Sequence, residues 1–491
     1  MSTLSKANIQ EVIDVIQHIY LEDKIPWICG YSGGKDSTAT VQLVWQALLG
    51  LTDEQRHKTV HVISTDTLVE SPVVALWANS SLDKMQKKAK EDNLPIAPHR
   101  LVPATTNSYW VNLIGRGYPY PRQNFRWCTD RMKIEPSNTF IKRILNAESE
   151  AILVLGSRKG ESNTRRTLME GYEKKRYREH LSPNGSFPNS YILTPIENWT
   201  TDNVWQFLMQ NANPWGHSNK DLMAMYSGAS ADGECPIVLD TSSPSCGNSR
   251  FGCWVCTLVT EDKSMTAMIR NDEEKAWMLP LLDFRNDIAA MSDNELDRKR
   301  RDFRRRTGKL TWHNGRLVHG PYKKDVREEF LCKLLQVEKL VHQIGPPEIR
   351  DIPLITMDEL RFIRKIWLDE NHEFDDQLPQ IYEELTGKTF EDSSINKNKY
   401  YGKSEWKLLK EICNDLFPEE ELLLQMQSSI LDVESKTSAM AHRRNVKSRI
   451  EDIIKKSYFA NEADAERMMI ERRRRQGVVD DVFSNEEPLD E

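Results

Sequence analysis

The sequence has no long hydrophobic run. No apolar stretch approaches the roughly 20 residues needed to span a bilayer. The first residues, "MSTLSKANIQEVIDVI", hold no basic segment followed by an apolar block, which argues against a secretory signal. A cytoplasmic protein that meets no membrane is therefore expected. No internal repeat is visible either. In the cytoplasm structural disulfides are rare, so the eight cysteines point to core thiols, metal ligands or catalytic groups. A net charge of −7 lacks the positive excess of a nucleic-acid binder. The basic residues are nevertheless bunched, as "EKKRYR" (173–178), "RKRRDFRRR" (298–306) and "ERRRRQG" (471–477). Each run is either a solvated helix face or a local phosphate-binding face.

What is present is an ordinary globular composition, 39% hydrophobic and 29% charged over 491 residues. That leaves room for two to four domains. Residues 6–22 carry apolar side chains at helical spacing, followed by a strand at 25–31 and a helix after Gly34. A second strand (58–66), a helix (71–93), a third strand (99–103), a helix (136–148) and a buried strand (151–158) continue the alternation. A further helix begins over 159–170, and a strand and a Thr-capped helix over 191–211 close the pattern. Alternating strands and helices predict an α/β fold with a doubly wound parallel sheet. Between about 213 and 257 the pattern breaks into Gly, Ser, Asn and Pro, and from 258 long helical patterns dominate. They include 327–344, 357–370 and 405–417, with a turn or hairpin at 313–320. The expected domains are 1–212, a four-cysteine segment at 213–257, a mainly helical region at 258–478 and an acidic disordered tail at 479–491.

The strand-to-helix hinge reads Ser32-Gly33-Gly34-Lys35-Asp36-Ser37. Glycines let the backbone approach an anion, and N–H groups at a helix N-terminus point at it. Lys35 adds a point charge and Ser37 a hydroxyl. The four-residue spacer of a Walker A loop is missing. The stretch instead resembles the PP-loop of the ATP pyrophosphatases, which cut ATP between the α and β phosphates. The resemblance implies that Ser32, Gly33, Gly34, Lys35, Asp36 and Ser37 grip pyrophosphate. It also implies that Asp36 and Asp66 help to hold Mg²⁺.

Four further stretches resemble the phosphoadenosine-phosphosulfate (PAPS) reductases. They are "STDTLVESP" (64–72), "RWCTDRMKIEP" (126–136), "GSRKGESNTRR" (156–166) and "PIENWTTDNVW" (195–205). The resemblance covers roughly residues 20–230. It implies an adenine nucleotide alpha hydrolase-like fold, with Gly156 at the nucleotide and Arg158 and Arg165 neutralising developing phosphate charge. The reductases' Glu-Cys-Gly-x-x-His tail is absent, and "GECP" (233–236) is only a partial echo. The reductase fold is expected, but not the reductase reaction.

Cys235, Cys246, Cys253 and Cys256 lie within 22 residues, ending in "FGCWVC". A Cys-x-x-Cys turn points two thiolates at one metal, and two more cysteines complete a tetrahedral set. Zinc and iron–sulfur both fit that spacing, and resemblance to sulfur-handling proteins favours a [4Fe–4S] cluster. Cys29, Cys332 and Cys413 fall in a strand and on apolar helix faces, as core residues do. Cys128 stands beside Arg126, Arg131 and Lys133, whose charges are expected to lower its pKa. It is read either as a sulfur-carrying catalytic thiol or as a structural residue.

The whole arrangement resembles the DndC family of the bacterial DNA phosphorothioation system. This resemblance implies ATP, Mg²⁺ and a cluster as cofactors. It also implies DNA, a cysteine desulfurase as sulfur donor and the other Dnd proteins (DndD, DndE) as partners. The stretch Arg298–Arg306 is the candidate DNA- or partner-facing surface. A tRNA thiolase of the PP-loop type, and an ATP-binding regulatory subunit with a structural zinc, are the alternatives.

Overall fold

The computed structural model describes residues 4–122, 125–229, 251–290, 295–392, 402–418, 422–437 and 445–475. Cys235, Cys246 and the 479–491 tail lie outside these described residues. The chain forms two compact units. One comprises Met1–Ala104 and Pro121–Arg285, the other Thr105–Tyr120 and Asn286–Glu491.

The first unit is built on six strands: β1 (Trp27–Gly30), β2 (Val60–Thr65), β3 (Ile96–Leu101), β4 (Ala151–Val154), β5 (Leu181–Pro183) and β6 (Ser190–Leu193). Their order is β3-β2-β1-β4-β6-β5. All pairings are parallel except β5 with β6, an antiparallel edge. Alternation along the strands decides which face each side chain enters. Trp27, Cys29, Ile152 and Val154 turn to one face. They pack there with α1 (Lys6–Glu22), α2 (Lys35–Leu49), α3 (Pro72–Glu91), α6 (Thr201–Gln210) and α7 (Asn219–Gly228). Ile28, Ala151 and Leu153 turn to the other, against Phe140, Ile141 and Ile144 of α4 (Glu135–Glu148). Helices on both faces make the sheet doubly wound, as the sequence pattern predicts.

Local signals start the helices. Ser5 and Asn8 form a capping box on α1, and Thr200 and Asn203 do so on α6. The short α5 (Asn163–Glu173) is capped by Ser162, whose hydroxyl accepts from Arg165 N. Helices α8 (Lys263–Asn271) and α9 (Leu279–Ala290) follow the Cys-x-x-Cys turn. Among the described residues no helix is long and apolar enough to cross a membrane.

The second unit is mainly helical. After α10 (Glu295–Lys299) comes a two-stranded hairpin of β7 (Trp312–His313) and β8 (Arg316–Leu317). Then come α11 (Lys324–Ile344), α12 (Pro347–Arg350), α13 (Met357–Asp369) and α14 (Gln377–Thr386). Helices α15 (Lys403–Leu416), α16 (Leu423–Thr437), α17 (Val446–Lys456) and α18 (Glu462–Arg475) complete it. The stretch 105–120 is threaded into this core. Trp110 Nε1 donates to Leu354 O at 2.6 Å, and Trp367 Nε1 donates to Ile114 O at 3.0 Å. Tyr120, Tyr322 and Phe330 pack ring against ring, with centroids 5.1–5.4 Å apart.

The basic run at 298–306 is not one exposed helical face. The helix ends at Lys299. Arg301 is 6% exposed and paired with buried Asp297 at 3.1 Å. Arg304 is 5% exposed and held by Asp302, Gln425 Oε1 and Lys456 O. Acids placed four residues before Arg301 and two before Arg304 turn these guanidinium groups into internal ties.

Candidate active site

The phosphate-loop candidate lies at the C-terminal end of β1, where α/β sheets of this kind hold their ligands. Gly33 takes φ +73°, and a Cβ there would stand 3.2–3.3 Å from Ala78 and Trp77. Gly34 is the N-cap of α2 and brings no capping side chain. Ser32 N donates to Ser37 Oγ (3.2 Å), and the Ser37 hydroxyl in turn donates to Gly34 O (3.0 Å). Tyr226 of α7 covers the turn: its hydroxyl accepts from Lys35 N at 3.3 Å, and Lys35 Nζ lies 5.3 Å from its ring centroid. Burial raises the Tyr226 pKa, so the hydroxyl stays neutral.

The charged groups meet at Asp36. Lys35 Nζ lies 3.1 Å from one carboxylate oxygen and Arg158 Nε 2.7 Å from the other. Both cations are almost fully buried. Arg158 also donates to Trp199 O (3.2 Å) and Thr201 Oγ1 (3.3 Å), and its own N–H donates to Glu161 (2.9 Å). Segments around 35 and 158 thus meet at one carboxylate, and the segment around 200 holds the Arg158 guanidinium from behind. Gly156 serves this convergence, since a Cβ there would stand 2.8 Å from Asp36 O. Arg165 pairs with Glu161, the carboxylate that also accepts from Arg158 N, and its side chain is half-exposed. Asp66 directly follows β2 and is held by Arg100 Nη2 at 2.5 Å.

One residue further, Thr67 Oγ1 lies 3.4 Å from Cys253 Sγ. The Cys-x-x-Cys turn is docked on the 67–71 segment as a short antiparallel bridge between Glu70 and Cys253. Trp254 N donates to Val69 O (3.0 Å), and Ser71 N donates to Gly252 O (3.3 Å). Cys256 N donates to Cys253 O at 2.9 Å, which closes the turn. Trp254 is 2% exposed and supplies an apolar wall. Arg285 ties the following loop through Cys256 O (3.0 Å) and Thr260 O (2.8 Å).

Cys128 belongs to the same place, at the start of a π-helical turn, Thr129–Ile134. Its pKa departs from the expectation. Burial raises it, hydrogen bonds from Thr129 oppose the rise, and the neighbouring Cys256 adds to it. The Arg126 and Arg131 charges do not prevail over desolvation. Lys133, on the same turn, pairs with Glu70 at 3.1 Å. Desolvation works against its charge, but Cys253 and Glu70 outweigh this and raise its pKa. Burial, then Glu70, push the Cys253 thiol far up, so only capture by a metal would hold it as thiolate. Among the described residues no three His, Cys, Asp or Glu side chains form a metal cluster. The thiol chemistry and apolar wall of the turn fit a sulfur-ligated metal, with Cys253 and Cys256 as described donors.

Cys29 is buried, and its pKa is pushed up to about 12. Cys413 is likewise buried and Cys332 half-buried. Sequence reasoning missed Tyr226, Trp77 and His217. Trp77 Nε1 donates to Gly33 O (3.1 Å), and its ring lies 3.7 Å from that of His217. Only the fold brings α3 and α7 to the loop.

Residues 26–258 match the family model of the phosphoadenosine phosphosulfate reductase domain. An uncharacterized protein of Methanocaldococcus jannaschii is 26% identical over 206 residues, 42% of this chain and 36% of the relative. The match thus spans about a third of that relative's length. Among solved structures, PAPS reductase from Candida auris, in its phosphate complex, is 13% identical with a TM-score of 0.26. The match covers 44% of this chain and 91% of the reductase. The U34-tRNA thiolase NcsA from Methanococcus maripaludis with its [4Fe-4S] cluster is 16% identical with a TM-score of 0.27. That match covers 41% of this chain and 62% of the thiolase. Apart from 105–120, the matched segment falls in the first unit, where the mostly parallel sheet carries the glycine loop at the end of β1, so that over these residues the chain is similar to a PAPS reductase domain.

Proposed function

We propose that this protein uses ATP to activate a phosphate oxygen of the DNA backbone and supports its replacement by sulfur. The observation that carries the reading is the docking of the Cys-x-x-Cys turn on the segment that follows Asp66. Nucleotide chemistry and sulfur chemistry then share one end of the sheet. A backbone oxygen is a very poor leaving group. Adenylation makes it part of AMP and releases pyrophosphate to the Ser32–Ser37 loop. Lys35 and Arg158 neutralise the charge that develops. Asp36 and Asp66 would hold Mg²⁺, which is commonly bound by one or two carboxylates together with substrate phosphates.

Sulfur arrives as a persulfide from a cysteine desulfurase, and Cys128 is the accepting thiol. The terminal sulfur attacks phosphorus, the P–O bond to AMP breaks, and a P–S–S–C link results. A second thiolate attacks the carbon-bound sulfur. This leaves the phosphorothioate and a disulfide, which a cellular dithiol reduces. Cys253 and Cys256, with Cys235 and Cys246 outside the described residues, would hold the iron–sulfur cluster. When bound, the cluster would supply a polarising, sulfur-binding centre.

The test is mass spectrometry of digested DNA and tRNA from cells carrying the whole operon. They would carry either the intact chain or the Lys35→Ala, Cys128→Ser or Cys256→Ser variant. Sulfur-bearing dinucleotides in DNA should fall to background in all three variants. Unmodified DNA together with a thiolated base lost from tRNA would overturn the reading in favour of a thiolase. Iron analysis of purified Cys128→Ser should show iron retained; its loss would make Cys128 a ligand rather than a carrier.

A further inference from the structure

The second unit contains a cavity of about 490 Å³, within the size range of small-molecule sites. Eight Lys and Arg side chains line it against three carboxylates, Asp302, Glu370 and Glu373. Some of the positive charge is spent internally. Arg327 pairs with Glu373, Arg304 with Asp302, and Arg306 with Glu370 at 3.3 Å. Arg305, Lys323 and Lys456 have no carboxylate partner among the described residues. Arg305 reaches only the carbonyl of His319, at 3.4 Å.

The backbone that carries Arg305 and Lys456 is held in place. The 305–309 turn closes through Arg305 N to Lys309 O (2.8 Å) and Gly308 N to Arg305 O (2.7 Å). Gly308 takes φ +78°, and a Cβ there would stand 2.5 Å from Lys456 Cγ. Only glycine lets the turn lie this close to α17. Arg304 fixes the other side by donating to Lys456 O at 2.9 Å. A second feature points into the same space. Ser428 lines the cavity, is 2% exposed, and its hydroxyl has no hydrogen-bond partner among the described residues. Buried hydroxyls left without a partner are uncommon, and a ligand oxygen is one way to satisfy them. Trp406, Leu422, Leu424 and Ile453 add an apolar patch to a wall that also holds Asn371, His372 and Gln425.

We propose that this cavity is a second anion site, which takes the phosphate end of a nucleotide-sized ligand. A surplus of cations suits a phosphate dianion better than a single carboxylate. The apolar patch, with polar side chains beside it, suits a base or sugar attached to it. The ligand is either a free nucleotide or a nucleotide within a strand; the chemistry recognised is the same.

The test uses the full chain carrying Lys35→Ala, so that nucleotide held by the glycine loop does not contribute. Binding of AMP and of a 5′-phosphorylated single-stranded DNA oligonucleotide would be titrated at about 50 mM salt, where phosphate contacts are least screened. Replacing Arg305, Lys323 and Lys456 together by Ala should weaken at least one probe ten-fold or more. These three side chains are exposed, and the melting temperature should stay within a few degrees. Lys456→Arg should retain binding. Weakening of AMP assigns a free nucleotide, and weakening of the oligonucleotide alone assigns a phosphate within a strand. Equal affinity of the triple variant and its parent for both probes overturns the proposal, as does absence of binding by the parent. Because the glycine loop is already disabled, this result is independent of the function proposed for the first unit.

Discussion

At the scale of single residues, Arg158 is the most constrained group of the candidate site. Its guanidinium serves Asp36, a backbone carbonyl and a hydroxyl at once. A lysine carries the charge but not the fork. Arg158→Lys is therefore expected to behave like Arg158→Met. Both should lower ATP-dependent pyrophosphate release about 100-fold, as loss of one buried transition-state donor does. Full activity in the lysine variant would show that charge alone suffices. Sequence legibility was uneven at this scale. Lys35, Asp36 and Arg158 stand in motifs whose residue types state their chemistry. Arg165 stands in the same motif, yet its i−4 neighbour Glu161 draws it to the surface. Tyr226 has no motif, because its role comes from where α7 lands. The Cys128 pKa was misjudged because charge proximity is visible in sequence and desolvation is not.

Among the elements, β2 and β3 carry a histidine pair. His61 Nδ1 and His99 Nε2 are 3.0 Å apart, and both rings pack on Phe140. Burial first, then the charges of His99 and Arg143, push the His61 pKa down to about 4. The same causes, burial and then Arg143, lower that of His99. The unfolded chain, with a His pKa near 6.5, binds these protons more readily than the folded one. Stability is then complete above pH ~6.5 and is lost as pH falls toward 4. The melting temperature should drop by several degrees between pH 7 and pH 5, with a smaller drop in His61→Gln. An unchanged slope in that variant would exclude the pair as the cause.

Strand β3 also shows why boundaries were less legible than elements. The expected strand at 99–103 runs instead over Ile96–Leu101. Pro98 sits opposite Val62 in the ladder, which an edge strand tolerates but a sequence reading treats as a break. The antiparallel β5 was missed: three residues ending in proline give no alternation to detect.

At the level of the whole molecule, helical content after 258 was legible from periodicity. The assignment of 105–120 to the second unit was not, since nothing in those residues names distant partners. Tyr109, Trp110, Val111, Leu113 and Ile114 are at most 2% exposed there. A fragment ending at residue 285 would lack every helix from α10 onward and leave these side chains uncovered. Trypsin should cut that fragment rapidly after Arg116, while the full chain resists at this site. Equal resistance would mean that 105–120 is ordered without the C-terminal helices.

The same threading sets a timetable for synthesis. Trp110 and its acceptor Leu354 are 244 residues apart. At about 5–20 residues per second, the first waits roughly 10 to 50 seconds for the second to be made. Through that interval the nascent chain presents an apolar, aromatic stretch with nowhere to go, in the middle of a sheet domain otherwise complete. The growing polypeptide is thus a natural client for chaperones that shield hydrophobic segments, and its yield should depend on translation speed downstream of residue 120.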